Sequence, residues 1–309
     1  MFAIRRAGTV QFKGKKLLNM DVGMKFAVLL FLLSTATWAK WSVSTYNIRN
    51  FDRDPEAGPT DLVELGKIVK EFRSDVMAFS EVGNVAAFDA LVKRNLPGYA
   101  YQVSTCGGFG RQHLAVVYRR ASFDYVKHVE DLSLSGSTDR CGSLRPLFLV
   151  TLRHRASGQA YTFGALHLKA GGSPRAMAQR WQQYRQLTGV AEAHAAANLI
   201  LLGDFNTTGY NIKDEDFAKF EEFLDRARLR TTSEELGCTS YWSGIAGGDE
   251  HQSSILDHIV VPAATAAAIE FVKVGAHCAR LACAPAMPAE LGRSYEAVSD
   301  HCPIQVTIR

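Results

Sequence analysis

Short apolar runs, rich in β-branched and aromatic residues, recur along most of this chain, and polar residues border most of them. They occupy positions 41–46, 76–79, 114–118, 147–152, 161–166, 199–202, 258–261, 271–274 and 303–308. Runs of this length bounded by turn formers read as strands, and several, apolar at consecutive positions, read as strands buried on both faces. Between them lie stripes at helical spacing. Leu62, Leu65, Val69 and Phe72 form one, with Asp61 and Glu64 placed like a capping pair. Met177, Trp181, Tyr184, Leu187 and Ala191 form another after Pro174, a common first residue of a helix. Residues 214–227 form a third. A chain of this pattern folds as a mixed α/β protein whose helices cover sheet faces.

The composition supports a large core. The chain has 309 residues, 47% of them hydrophobic and 21% charged, which excludes a disordered, collagenous or coiled-coil protein. The formal charge of +4 is unevenly spread. Residues 40–309 hold 29 basic and 30 acidic side chains, so a globally basic coat for nucleic acid is excluded there, although a local basic groove is not. Residues 25–39 place Lys25 before an apolar run, Phe26 to Leu33, and then small residues up to Ala39. This is the pattern of a secretory signal peptide, too short to span a bilayer. Residues 1–39 are therefore expected to be a presequence, with Met24 as the true start, and 40–309 a single domain of a secreted or periplasmic monomer. The 6 cysteines fall after that segment, an even number suited to disulfides. Six cysteines allow about 15 connectivities, which the sequence leaves open; Cys106 with Cys141 and Cys278 with Cys283 are locally plausible pairs. No Cys-x2-Cys with matching histidines points to zinc.

The chemistry gathers where the runs end. Asn47 follows the first, Glu81 the second, His167 the fifth, and Asp204 with Asn206 the sixth. Asp257 opens the seventh, and Asp300 and His301 precede the last. Each alone is more often a turn residue, a cap or a satisfied histidine. Together they are carboxylates, amides and histidines that one sheet rim can hold rigidly, and burying them within a sheet would cost about 2–7 kcal/mol per neutral polar group and more per charge.

These residues also carry a likeness. Tyr46-Asn47-Ile48-Arg49-Asn50-Phe51, Ser80-Glu81-Val82, Ala165-Leu166-His167, Leu202-Gly203-Asp204-Phe205-Asn206, Leu256-Asp257-His258-Ile259 and Ser299-Asp300-His301-Cys302-Pro303-Ile304 resemble, in order, the motifs of the endonuclease/exonuclease/phosphatase superfamily. Gly110-Arg111-Gln112, Arg145-Pro146 and His167-Leu168-Lys169 give it the flavour of deoxyribonuclease I and its exported bacterial relatives. The resemblance implies a four-layer α-β-β-α sandwich of two packed mixed sheets. It also implies metal-dependent hydrolysis of phosphodiesters, with Mg²⁺ first, Mn²⁺ as a substitute and Ca²⁺ as a structural ion.

On this reading Glu81 is the metal ligand, supported by Asn47, since carboxylate oxygen suits Mg²⁺. Asp204 orients or deprotonates water, and Asn206 donates to the phosphate. His301 is polarised by Asp300, and His167 donates to phosphate or leaving oxygen, held by Asp257 or supported by Gln112. Gln112 stands where deoxyribonuclease I has a glutamate, which weakens the case for His167 as an acid. Gly83 replaces a groove-reading arginine. The sequence leaves open which histidine is acid and which base, and whether one metal or two take part. Arg111 and Arg145 are candidates for phosphate contacts, extended by Lys169 and Arg175. The substrate is nucleic acid, DNA first, read with little sequence preference, and no stable membrane association is expected. The rival is a sphingomyelinase or another phosphoesterase on the same metal site, disfavoured because no exposed aromatic hairpin is legible. A non-catalytic binding protein on the same fold is a more distant one. Of the other histidines, His113 reads as lying beside a strand, His258 as pointing to the face opposite Asp257, and His128, His154, His194, His251 and His277 as loop or surface residues.

Overall fold

The computed structural model describes residues 40–53, 58–194, 198–244 and 249–309. The expected signal segment and the start at Met24 lie outside the described residues. In chain order the first elements are β1 (Trp41–Asn47), α1 (Leu62–Glu71), β2 (Val76–Val82), α2 (Val85–Asn95), β3 (Tyr99–Val103), β4 (His113–Arg119) and β5 (Phe123–Asp131). Next come β6 (Leu147–His154), β7 (Ala160–His167), α3 (Pro174–Ala193), β8 (Leu199–Asp204), α4 (Glu215–Ala227) and β9 (Leu229–Thr231). The chain continues with β10 (Ser240–Trp242), β11 (Gln252–Ser254), β12 (Asp257–Pro262) and α5 (Ala263–Ala266). It closes with β13 (Ile269–Val274), α6 (Ala276–Arg280), α7 (Pro288–Glu296) and β14 (Ile304–Ile308).

Two 6-stranded sheets result, β13-β14-β1-β2-β4-β3 and β5-β6-β7-β8-β12-β9, with β10 and β11 as a separate hairpin. Alternation sorts the side chains of each strand between two cores. Val76 and Ala78 of β2 face Phe148, Phe163 and Ile200 of the other sheet in the central core. Met77 and Phe79 face away and are covered by Leu65, Val69, Phe88 and Leu91 of α1 and α2. Leu199 and Leu201 of β8 are covered by Tyr184, Leu187, Phe220 and Phe223 of α3 and α4. The strands apolar on both faces are those sandwiched between a helix layer and a sheet, as their sequence predicts. The expected four-layer sandwich is present.

Local signals set the helix starts. Asp61 Oδ1 accepts from the backbone of Val63 and Glu64, both at 3.0 Å. Ser173 caps α3 through Ala176 N at 3.3 Å, with Pro174 as its first residue. Asp214 belongs outside α4, as its cap, accepting from Asp216 N at 2.8 Å.

The disulfides are Cys106–Cys141, Cys238–Cys283 and Cys278–Cys302. The first was expected. The pairing of Cys278 with Cys283 is not formed: both flank the end of α6, but each points to a different partner that the fold brings in from far along the chain. His154 and His277 are also buried and not at the surface, His154 against Trp41 and Phe123, His277 between Tyr241 and Tyr295.

Candidate active site

Strand register gathers the polar strand ends on one rim. Parallel β1 and β2 end together, Asn47 opposite Ser80. Parallel β7 and β8 end together, His167 opposite Asp204. Antiparallel β12 begins where β8 ends, so Asp257 faces Asp204. His301 precedes β14, which runs antiparallel to β1 and so starts beside its end. Every one of these residues is buried.

Backbone exceptions aim them. The pairing of β2 with β4 shifts between Phe79 and Val82, and there Glu81 adopts φ 63°, a left-handed conformation rare for glutamate. At Gly203, φ is 148° and a Cβ would lie 2.0 Å from the Leu166 carbonyl oxygen, so only glycine lets β8 hug β7 before Asp204.

The two sheets meet at Asn47. Its Nδ2 donates to Glu81 Oε1 at 3.0 Å and to Asp204 Oδ2 at 3.1 Å. His167 Nε2 lies 3.7 Å from Glu81 Oε1 and 3.4 Å from Asp204 Oδ2. His301 Nε2 lies 3.8 Å from Asp204 Oδ2, while its Nδ1 meets Asp257 Oδ2 at 2.7 Å. Asn206 N donates to Asp204 Oδ1 at 2.8 Å, and its side-chain Nδ2 to Leu168 O at 3.3 Å. Thus Asn47, Glu81, His167, Asp204, Asn206, Asp257 and His301 come together as the sequence predicts.

Several assigned roles change. His301 is held by Asp257 and not by Asp300, which sits at the edge of the site and offers its carbonyl to Tyr241 N at 2.9 Å. Asp257 accordingly does not hold His167. Gln112 does not support His167 either: its Nε2 donates to Asn50 Oδ1 at 2.7 Å, and His167 Nδ1 has no hydrogen-bond partner. Asn47 turns its amide oxygen to Arg49 N at 3.0 Å and presents its NH2 to the two carboxylates. Arg145 is a brace: its guanidinium donates to the carbonyls of His167 at 3.0 Å and Leu168 at 2.5 Å. Arg111 is exposed at a turn beside the site, with φ 52°.

Other supporting residues carried no separable sequence signal. Asn50 N donates to Glu81 Oε2 at 2.7 Å. Thr239 Oγ1 accepts from Leu256 N and Asp257 N, both at 2.9 Å. Ser299 Oγ donates to Asn47 O at 2.7 Å and accepts from His301 N at 3.1 Å, which gives the serine of the Ser-Asp-His motif a physical task.

Electrostatics separate the two histidines. Burial, with Arg145 and His301 nearby, holds His167 well below the ordinary histidine range, so it is neutral. Burial also opposes charge on His301, but Asp257 and Asp204 outweigh it and hold that ring well above the ordinary value. Burial pushes Asp204 up to about 7, opposed by His301 and reinforced by Asp257 and Glu81.

The donor set fits a hard divalent cation. Glu81 and Asp204 turn oxygens toward one another across a single amide, and ligand atoms of Asp204, Asp257 and His301 lie within 4.8 Å of one another. Asp257 Oδ1 is buried without a partner. Oxygen-rich, crowded carboxylates of this kind are neutralised best by an ion such as Mg²⁺. A second grouping, His277 with Cys278 and Cys302, is no metal centre, because its cysteines are joined in a disulfide and offer no thiolate.

Solved structures share this fold over nearly their whole length. D. rerio TDP2 complexed with a single-strand DNA product aligns with a TM-score of 0.61 and 15% identity, covering 88% of this chain and 99% of that one. A mannosyl-6-phosphatase of Bacteroides thetaiotaomicron aligns at 0.59 and 18%, covering 87% and 100%. The human Nocturnin catalytic domain with bound sulfate aligns at 0.59 and 17%, covering 87% and 94%. No curated protein matches the chain in sequence. The model of the endonuclease/exonuclease/phosphatase family matches residues 44–301, a span that contains all the residues gathered at this rim, and the chain belongs to that family.

Proposed function

We propose that this chain is a divalent-metal-dependent phosphodiesterase that hydrolyses nucleic acid, DNA first, with little sequence preference. One observation carries the reading: Glu81 and Asp204 from different sheets share the Asn47 amide, within reach of a His301–Asp257 pair. Glu81 would hold the cation, with Asp204 beside it. When bound, the ion would neutralise charge on the phosphoryl oxygens. Asp204 orients the attacking water and takes up its proton. His301, fixed by Asp257, moves the second proton. Neutral His167 donates Nε2–H to a phosphoryl oxygen, joined by the NH2 group of Asn206.

The same reading places residues 1–39 as an export presequence and 40–309 as one catalytic domain of a secreted or periplasmic monomer. Three disulfides among the described residues are the observation in favour, since such bonds persist in oxidising compartments. No helix among the described residues is long and apolar enough to cross a membrane.

A lipid phosphodiester is the second reading, and one feature favours it over the sequence expectation. The β10–β11 hairpin does present an aromatic, Trp242, which is 46% exposed near exposed Ile212 and Met287. Incubating purified protein and Mg²⁺ with supercoiled plasmid, RNA and sphingomyelin vesicles, each with and without EDTA, separates the two. EDTA-sensitive DNA cleavage is expected. Sphingomyelin turnover with intact plasmid would reject the nuclease reading, and activity persisting in EDTA would reject the metal site.

A further inference from the structure

The segment before β4 forms a platform that the chemistry above does not use. Cys106 is joined to Cys141, which fastens the 106–112 turn to the loop that leads into β6. Backbone bonds fix the turn further: Phe109 N donates to Ser143 O at 3.1 Å and Gln112 N to Gly107 O at 2.8 Å. Glu130 accepts from Thr105 N and from Cys106 N. Both loops end in the catalytic rim. Gln112 reaches Glu81 through Asn50, and Arg145 holds the carbonyl of His167.

At the tip of this rigid turn stands Phe109, 88% exposed. A lone exposed apolar side chain is ordinary on a protein surface. This one is held by a disulfide-linked pair of loops next to the proposed hydrolytic centre, and the same two loops carry arginines: Arg111 on its own turn and Arg140 beside Cys141, both exposed and neither ion-paired with a described residue. The hairpin side of the rim differs in charge. There Trp242 adjoins Asp249 and Glu250, which would repel a polyanion, and the nearby Lys213 lies over the Tyr210 and Phe217 rings, 3.9 and 3.8 Å from their centroids.

Aromatic faces for bases with cations for the intervening phosphates are what single-strand binding surfaces combine. We propose that the Cys106–Cys141 platform is the strand-binding surface: an unpaired base stacks on Phe109 while adjoining phosphates pair with Arg111 and Arg140. The occupant is single-stranded nucleic acid, because both faces of a base inside a duplex are already covered by its neighbours. This inference rests on the nuclease reading of the adjoining site and names its preferred substrate form.

Fluorescence polarisation with labelled oligothymidylate in EDTA tests the platform without cleavage, and hydrolysis of the same strand in Mg²⁺ tests the nuclease reading separately. Phe109→Ala is expected to weaken binding about 10-fold, Phe109→Tyr to stay within about twofold of wild type, and Arg140→Glu to weaken binding and lower the salt slope by about 1. Trp242→Ala is expected to bind as wild type does, and duplex of the same length to lose less than about threefold on Phe109→Ala. Unaltered binding by Phe109→Ala, a loss that follows Trp242 instead, or a wild type that binds no oligothymidylate would each overturn the proposal. So would binding to phosphatidylglycerol vesicles that needs Phe109 while the oligonucleotide does not bind.

Discussion

His301 Nδ1 sits 2.7 Å from Asp257 Oδ2, a partner 44 positions away, although an acid lies next to it in sequence. The adjacent Asp300 turns its carbonyl into the β10 hairpin instead. The acid that serves the ring comes from β12, and no hydrogen bond joins the ring to Asp300 among the described residues. Asp257→Asn is therefore expected to lower kcat on the order of 10²-fold or more, whereas Asp300→Asn stays within about threefold of wild type. Steady-state hydrolysis with circular dichroism as a folding control checks this; equal losses for both variants would refute the assignment.

Arg180 and Asp216 form a fully buried ion pair at 2.8 Å behind the site. Arg180 also donates to the carbonyls of Lys169 at 2.6 Å and Gly171 at 3.1 Å and to Thr208 Oγ1 at 2.9 Å. It thus joins the segment after His167 to the segment after Asn206. Removing one member leaves the other charge buried, which costs about 3–5 kcal/mol. Arg180→Met alone should lower the urea midpoint accordingly, and Arg180→Met with Asp216→Leu should recover much of the loss. A double variant no more stable than the single one would contradict this account.

The strands that carry the site were legible because both their faces are buried, so their runs are apolar throughout and end in a polar residue. β5 was not, because it is an edge strand: Asp124, Lys127, His128 and Glu130 interrupt its pattern, and Lys127 and His128 are exposed. β9, β10 and β11 were too short to show a period. Which residues meet at the rim could be read from strand ends; which acid serves which histidine could not. That depends on register between segments far apart, as with Asp257 opposite Asp204. The pairing of Cys278 failed for the same reason, since closeness in sequence says little about direction in space.

Burial holds the His277 side chain near a pKa of about 4, against an ordinary value of 6.5, with the Asp300 backbone opposing the shift. The folded state then binds fewer protons than the unfolded chain between those values. Stability supplied by the neutral ring is complete above about 6.5 and falls as pH drops toward 4, by at most about 3 kcal/mol. Urea midpoints measured from pH 7.5 to 4.5 should decline, and His277→Gln should decline less steeply. Identical slopes for the two proteins would remove His277 from the acid sensitivity.

Two disulfides brace the segment that presents His301. Cys302 follows His301 and is joined to Cys278, and Cys238 precedes the Thr239 that holds the start of β12. With Tyr241, Ala286 and Leu291 they form a small core of their own. Closing loops with separations of 45 and 24 residues stabilises the fold by about 3–4 kcal/mol each in the chain-entropy account. Replacing Cys278 and Cys302 together by alanine should lower both the melting temperature and kcat. Replacing Cys106 and Cys141 should chiefly raise KM for single strands, because that bridge fastens the Phe109 turn. Peptide mapping without reduction should recover the three pairings described; a Cys278–Cys283 peptide would contradict them.

Metal dependence should be visible in stability as well as in turnover. Glu81 Oε1 and Asp204 Oδ2 are buried, face one another and share one amide donor, an arrangement that carries excess negative charge until a cation binds. Binding to the folded state alone adds about 2.7 kcal/mol at a cation concentration 100 times Kd. Mg²⁺ or Mn²⁺ should therefore raise the melting temperature of EDTA-treated wild type. In Glu81→Gln the carboxylate repulsion is relieved and the amide oxygen can still accept from Asn50 N, while the new NH2 replaces the acceptor of Asn47 Nδ2 and offsets part of that relief. That variant should melt close to wild type in EDTA, lose the metal-induced rise, and lose turnover on the order of 10²-fold. A rise that survives the substitution would place the ion on other ligands, and a variant that melts well below wild type in EDTA would mean Glu81 is held for folding and not for the ion.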